Sequence, residues 1–123
     1  MKVAFATNDE KIMNEHFGKS KLFIIYEVTS EKYVQLTNRS VINTDKSENG
    51  RIEKRVEAIN DCSLVFVTEI GPAAAAQIIK MKIMPIKLEI GTKIEEQLDR
   101  LLSMLQNKPP LWLVKIMKQE ENK

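Results

Sequence analysis

The segment KVAFATNDEKIMNEHFGKSKLFIIYEV, residues 2–28, decides how the rest of the chain is read. Its first six residues put Val3 and Phe5 on one face of an extended chain and Ala4 and Ala6 on the other. Apolar groups on both faces mark a central strand. From Lys21 to Val28 the chain runs through Leu22, Phe23, Ile24, Ile25, Tyr26 and Val28, which predicts a second strand covered on both sides for most of its length. Between them lies Thr7 to Lys21, well beyond the roughly 4–6 residues of a median connection. Connections of that length are usually functional or disordered. Here Ile12, Met13 and Phe17 need a surface to pack on, and Gly18 offers a position free to take positive φ, so we read a binding loop.

Beyond Val28, a tight connection around Thr29 and Ser30 leads to residues 32–38, where Tyr33, Gln35 and Thr37 alternate with Val34 and Leu36. The alternation predicts a hairpin partner with one wetter face. Residues 40–50, with Asn43, Asp45, Ser47, Asn49 and Gly50, read as an exposed loop. A helix is expected from Arg51, burying Ile52, Val56 and Ile59 and ending at Asn60 and Asp61. Leu64 to Val67 fits a parallel strand reached by a crossover.

Gly71 and Pro72 open a second helix through alanines 73 to 76 and Ile78 and Ile79, proline at the first position having no amide to leave unpaired. A last strand, about Ile83 to Leu88, contains Pro85, which cannot donate to a ladder and so marks an edge. The clearest amphipathic helix carries Ile94, Leu98, Leu101, Leu102 and Leu105, with Glu95, Glu96, Asp99 and Arg100 outward. Pro109 and Pro110 stop it, and a short helical tail over 109–123 carries Trp112, which we expect to pack back on the sheet. The expected form is a single domain over 1–123, α/β in class, with three layers about a mixed five-stranded sheet.

Composition narrows the function. A net charge of +2 falls short of a dedicated nucleic-acid binder, and a 6% aromatic share argues against a base-stacking surface. No apolar run approaches the 18 to 20 or so residues that span a bilayer, and the first strand lacks the processing site of a secretory signal, so we expect a cytoplasmic protein free of membrane. The one cysteine, Cys62, excludes an intrachain disulfide and a four-cysteine metal site within one chain. Any metal centre held here must bring most of its own ligands.

Chemistry gathers at the long loop. His16, the only histidine, lies among Lys11, Lys19 and Lys21, a combination that suits an anionic metal cluster or an acidic ligand. A surface histidine among solubilising lysines is the competing reading. Asp9, Glu10 and Glu15 stand near His16, so an acid–base pair can be drawn, but the chain holds no phosphate loop, no zinc-spaced histidines and no nucleophile elbow. Cys62 reads as a core filler at the start of a buried strand, or as a ligand. Backbone amides near Gly71 to Ala74 offer hydrogen bonds to an anion or to cluster sulfides, with plain helix–strand packing as the alternative.

Four blocks carry a family resemblance. Lys2 to Thr7, then Asn14-Glu15-His16-Phe17-Gly18, then Phe23 to Val28 resemble the dinitrogenase iron-molybdenum cofactor biosynthesis family. Asp61 and Cys62 with Val65 and Phe66 resemble its next block, Ile70 to Ala75 the one after, and Pro109-Pro110-Leu111-Trp112-Leu113 the ending of its NifX branch. Many sequences of that branch have two glycines before the proline, where this chain has Ile70 and Gly71.

The resemblance implies a ribonuclease H-like topology. It further implies a non-enzymatic carrier of the iron–sulfur precursor of the nitrogenase cofactor, bound transiently, with no permanent cofactor. Its partners would be the precursor-producing enzyme and the maturation scaffold, and the chain would be a monomer or weak dimer. The motif histidine is the favoured ligand, which falls on His16, with Cys62 matching a cysteine of the pattern. Asn14, Gly18, Lys19, Lys21, Gly71 and Ala73 complete the expected cofactor-binding set. The alternatives are a small family member with a metal-cluster or adaptor role outside nitrogenase, docking through the Trp112 segment, and a hydrolase using Asp9 and Glu69.

Overall fold

A computed structural model describes residues 1–41 and 47–121. In chain order it contains β1 (Lys2–Thr7), β2 (Leu22–Val28), β3 (Tyr33–Ser40), α1 (Glu48–Ala58), β4 (Leu64–Val67), α2 (Pro72–Lys80), β5 (Met84–Lys87), α3 (Ile94–Gln106) and α4 (Leu111–Glu121). The sheet order is β3-β2-β1-β4-β5. The first three strands pair antiparallel, while β1 with β4 and β4 with β5 pair parallel. β1 is therefore the middle strand, as its two apolar faces require.

Each face of β1 builds one core. Ala4 and Ala6 are small, which lets α1 and α2 approach, and they join Phe23, Ile25, Val65 and Val67 beneath Ile52, Val56, Ala74 and Ile78. On the other face Val3, Phe5, Ile24, Leu64 and Phe66 meet Leu98, Leu101 and Leu105 of α3 and Leu113 and Ile116 of α4. The Phe5 and Phe66 rings stack there with centroids 4.7 Å apart. Two helices on each face make three layers. Trp112 is partly buried and packs against this second core. Truncating a fully buried side chain such as Leu101 costs about 2–5 kcal/mol in such a setting.

Two sequence expectations need correction. α1 begins at Glu48, ahead of Arg51, because the Ser47 hydroxyl accepts the Gly50 N–H at 3.0 Å and Glu48 stands in the first turn, where the helix dipole favours an acid. Of the expected 40–50 loop, residues 42–46 lie outside the described residues. In β3, Val34 and Leu36 do not form a drier face; they are 47% and 48% exposed. β3 is an edge strand, and a register shift between Ile25 and Tyr26 leaves Leu36 without a partner. Pro85 sits on the opposite edge, in β5, as its missing donor demands.

One charged clamp ties the sheet to the end of α1. Arg39 of β3 donates through both terminal nitrogens to Asp61, at 2.5 and 2.8 Å, and Lys2 of β1 adds a bond at 3.1 Å. The guanidinium beside it holds the Asp61 carboxyl well below the usual carboxylate range.

Candidate functional site

The loop between β1 and β2 is built by its own side chains. Asp9 Oδ1 accepts the N–H groups of Lys11 and Ile12 at 2.9 and 3.0 Å, which lowers the Asp9 pKa, and the Thr7 hydroxyl donates to the Ile12 carbonyl at 2.7 Å. Asn8 closes the loop at its base. Its N–H reaches Asn14 Oδ1 at 2.9 Å, its own Oδ1 accepts the Lys21 N–H at 2.9 Å, and its Nδ2 donates to Glu15 at 3.2 Å. The Glu15 carboxylate also accepts the His16 N–H at 2.9 Å.

Two neighbouring connections fix this loop in space. Met13 exchanges backbone bonds with Gly91 and Thr92 at 2.7 and 2.8 Å, and Ile94 donates to the Lys11 carbonyl at 2.9 Å. On the other side, the Thr68 hydroxyl donates to the Glu15 carbonyl at 2.7 Å and the Phe17 N–H to the Glu69 carbonyl at 2.9 Å. Met13 and Phe17 are fully buried, and the Phe17 ring lies against Phe23. His16, between the two anchors, is exposed.

These anchors place the loop beside the carboxyl ends of β1 and β4, where ligands of α/β sheets commonly bind. A cleft of about 950 Å³ opens there. The loop lends it His16, Gly18 and Lys19; the β4–α2 connection lends Glu69, Ile70, Gly71, Ala73 and Ala74; the start of α1 lends Glu48, Arg51 and Ile52; and Ile90 stands on its rim. His16, Lys19 and Arg51 bring cationic or metal-binding nitrogen, and α2 begins at this cleft with Pro72, so the Ala73 and Ala74 amides are its first. Glu69 is held by Lys87 at 3.1 Å.

Five of the residues expected at the site line this one cleft: His16, Gly18, Lys19, Gly71 and Ala73. Asn14 and Lys21 do not line it; the Asn14 side chain and the Lys21 amide are bound to Asn8 and hold the loop closed. Gly18 is not in the left-handed region, contrary to expectation, and an added Cβ at Gly18 or Gly71 would meet nothing within 4 Å. Neither turn geometry nor packing therefore requires glycine at these places, and both leave the cleft wall bare.

The topology sets Cys62 apart from His16, the two residues expected to ligate metal. Cys62 precedes the amino end of β4, whereas His16 adjoins Thr68 and Glu69 past its carboxyl end, a run of about 20 Å at strand rise. Burial, with Asp61 beside it, pushes the Cys62 thiol up to about 12, which opposes the thiolate a metal needs. Among the described residues no group of three or more His, Cys, Asp or Glu side chains is placed to hold a metal ion. Of the two carboxylates of the hydrolase reading, Asp9 accepts the Lys11 and Ile12 amides and does not line the cleft, while Glu69 lines it and pairs with Lys87, so the structure does not bring the two together there.

The sequence reading missed Arg51 and Glu48. The signal lay in the topology: a crossover helix runs back along the sheet, so the start of α1 returns to the same end as the carboxyl terminus of β4.

The model of the dinitrogenase iron-molybdenum cofactor family matches residues 1–104. The chain belongs to that family. It is 32% identical over 126 residues to the protein NifX of Sinorhizobium fredii, covering 97% of this chain and 79% of that relative. It is 34% identical over 87 residues to the FeMo cofactor biosynthesis protein NifB of Bradyrhizobium diazoefficiens, spanning 68% of this chain but 17% of that longer protein. The crystal structure of PH0822 has the same fold, with a TM-score of 0.69 at 18% identity over 84% of this chain and 89% of that one. The family match ends within α3, so the cleft lies wholly inside it. No helix among the described residues is long and apolar enough to cross a membrane.

Proposed function

We propose that this protein acts in the biosynthesis of the iron-molybdenum cofactor, binding an anionic iron–sulfur precursor and passing it from the protein that makes it to the scaffold that matures it. The supporting observation is the convergence of His16, Lys19 and Arg51 on one cleft whose wall is bare at Gly18 and Gly71. The His16 imidazole ligates one iron. Lys19, Arg51 and the amides of Ala73 and Ala74 face the anionic periphery of the cargo. One protein–metal bond with surrounding hydrogen bonds and charges suits a cargo that must leave again, and no turnover is required of the carrier.

The strand order β3-β2-β1-β4-β5, antiparallel in its first three strands, supports the ribonuclease H-like assignment. The protein works in the cytoplasm as a monomer or weak dimer, and its partners are cofactor-assembly proteins. An adaptor docking through Trp112 is disfavoured, since that side chain packs against the core beneath α3 and α4.

A transfer assay tests the proposal. The protein, loaded anaerobically with isolated iron–sulfur precursor, is mixed with cluster-free scaffold and the two are separated. Movement of iron to the scaffold within minutes supports a carrier. Iron that stays with this protein under all conditions contradicts it.

A further inference from the structure

We infer that Thr68 is a positioning residue for His16, aiming the imidazole into the cleft through the backbone of Glu15. Thr68 is 4% exposed, and its hydroxyl donates to the Glu15 carbonyl at 2.7 Å, across 53 residues of sequence. That carbonyl belongs to the peptide unit that carries the His16 N–H, which is itself held by the Glu15 carboxylate at 2.9 Å. The peptide plane before His16 is therefore fixed at both its oxygen and its nitrogen. On the far side, the Phe17 N–H is fixed by Glu69. With its backbone held from both directions, at an extended φ of −71° and ψ of 153°, His16 retains chiefly its side-chain torsions.

The hydroxyl is the part that matters. Valine at position 68 would fill nearly the same volume, but it would leave the Glu15 carbonyl without this donor. Phe17 and its bond to Glu69 would remain, so the loop stays folded while the peptide plane before His16 gains freedom. Groups that orient a metal ligand from behind commonly account for 10–100-fold in affinity.

The cargo part of the test rests on the carrier reading; the first part does not. Because His16 is the only histidine, its imidazole Cε1–H gives one NMR signal in the cargo-free protein. Thr68→Val is expected to shift or broaden that signal and to lower the amide order parameters of residues 15–17, and Thr68→Ser to restore both. With isolated iron–sulfur precursor, Thr68→Val is expected to retain cargo about 10–100-fold less tightly and Thr68→Ser close to wild type. An unchanged His16 signal and unchanged order parameters in Thr68→Val overturn the inference whatever the cargo does, as does a Thr68→Ser protein that behaves like Thr68→Val. Altered dynamics in Thr68→Val with restoration by serine, but no loading of wild type, uphold the positioning role and reject the carrier reading.

Discussion

Phe17 donates its backbone N–H to the carbonyl of Glu69 at 2.9 Å, joining the loop after β1 to the connection after β4. That bond brings the His16 wall of the cleft to the Gly71 wall. With Phe17 fully buried beside Phe23, the cleft is a property of the folded core and not of a mobile loop.

Gly18 separates folding from binding. An alanine there meets nothing within 4 Å, and the backbone is not in the left-handed region, so Gly18→Ala should leave stability unchanged or raise it by about 0.5 kcal/mol. The added methyl enters the cleft wall, and cargo retention should fall. Thermal melting and iron per chain, measured on one preparation, check both halves.

Glu48 and Arg51 share the cleft with opposite charge. For an anionic cargo, Arg51→Gln should weaken retention and Glu48→Gln should tighten it, each by about 3–10-fold and less at high salt. Dissociation constants at two ionic strengths decide this, and shifts of the same sign would rule out an anionic cargo.

Cys62 should be unreactive in the folded protein. The residue is 4% exposed and burial pushes its thiol up to about 12, so alkylation by iodoacetamide should be at least about 100-fold slower than in the unfolded chain. Cys62→Ala should cost about 1 kcal/mol of stability and leave cargo retention as it was. Loss of cargo in a folded Cys62→Ala protein would return the thiol to the ligand set.

Asp61 contributes an acid-sensitive part of the stability. Its folded pKa lies below the ordinary 3.8, so the contribution is complete above about pH 4 and is lost as pH falls below that value and the unfolded chain takes up the proton first. Asp61 is about a third exposed, so Asp61→Asn should cost only about 1 kcal/mol at pH 7. Urea unfolding at pH 7 and pH 3 should show the difference from wild type narrowing in acid.

Much of this architecture is legible where a local pattern carries it. Val3, Ala4, Phe5 and Ala6 announce a central strand, Pro85 an edge, and the spacing of Leu98, Leu101 and Leu105 a buried helix face, because period and donor count are properties of adjacent residues. The start of α1 was hidden because Asn49 and Gly50 resemble turn residues, while the decisive Ser47 cap is a single hydrogen bond. The exposure of Val34 and Leu36 depends on a register shift that no alternation announces. At the site, the His16 loop and the Gly71 turn are visible as separate motifs. Their meeting with Arg51, and their distance from Cys62, depend on which end of the sheet each connection reaches.

The most direct measurement is anaerobic loading with isolated iron–sulfur precursor, comparing wild type with His16→Ala by bound iron per chain and visible absorption. His16 is exposed, so the variant should fold as wild type does. Retention of cluster by wild type and its loss in His16→Ala is the expected result. Equal retention by the two would contradict His16 as ligand, and failure of wild type to retain any cluster would contradict the carrier itself.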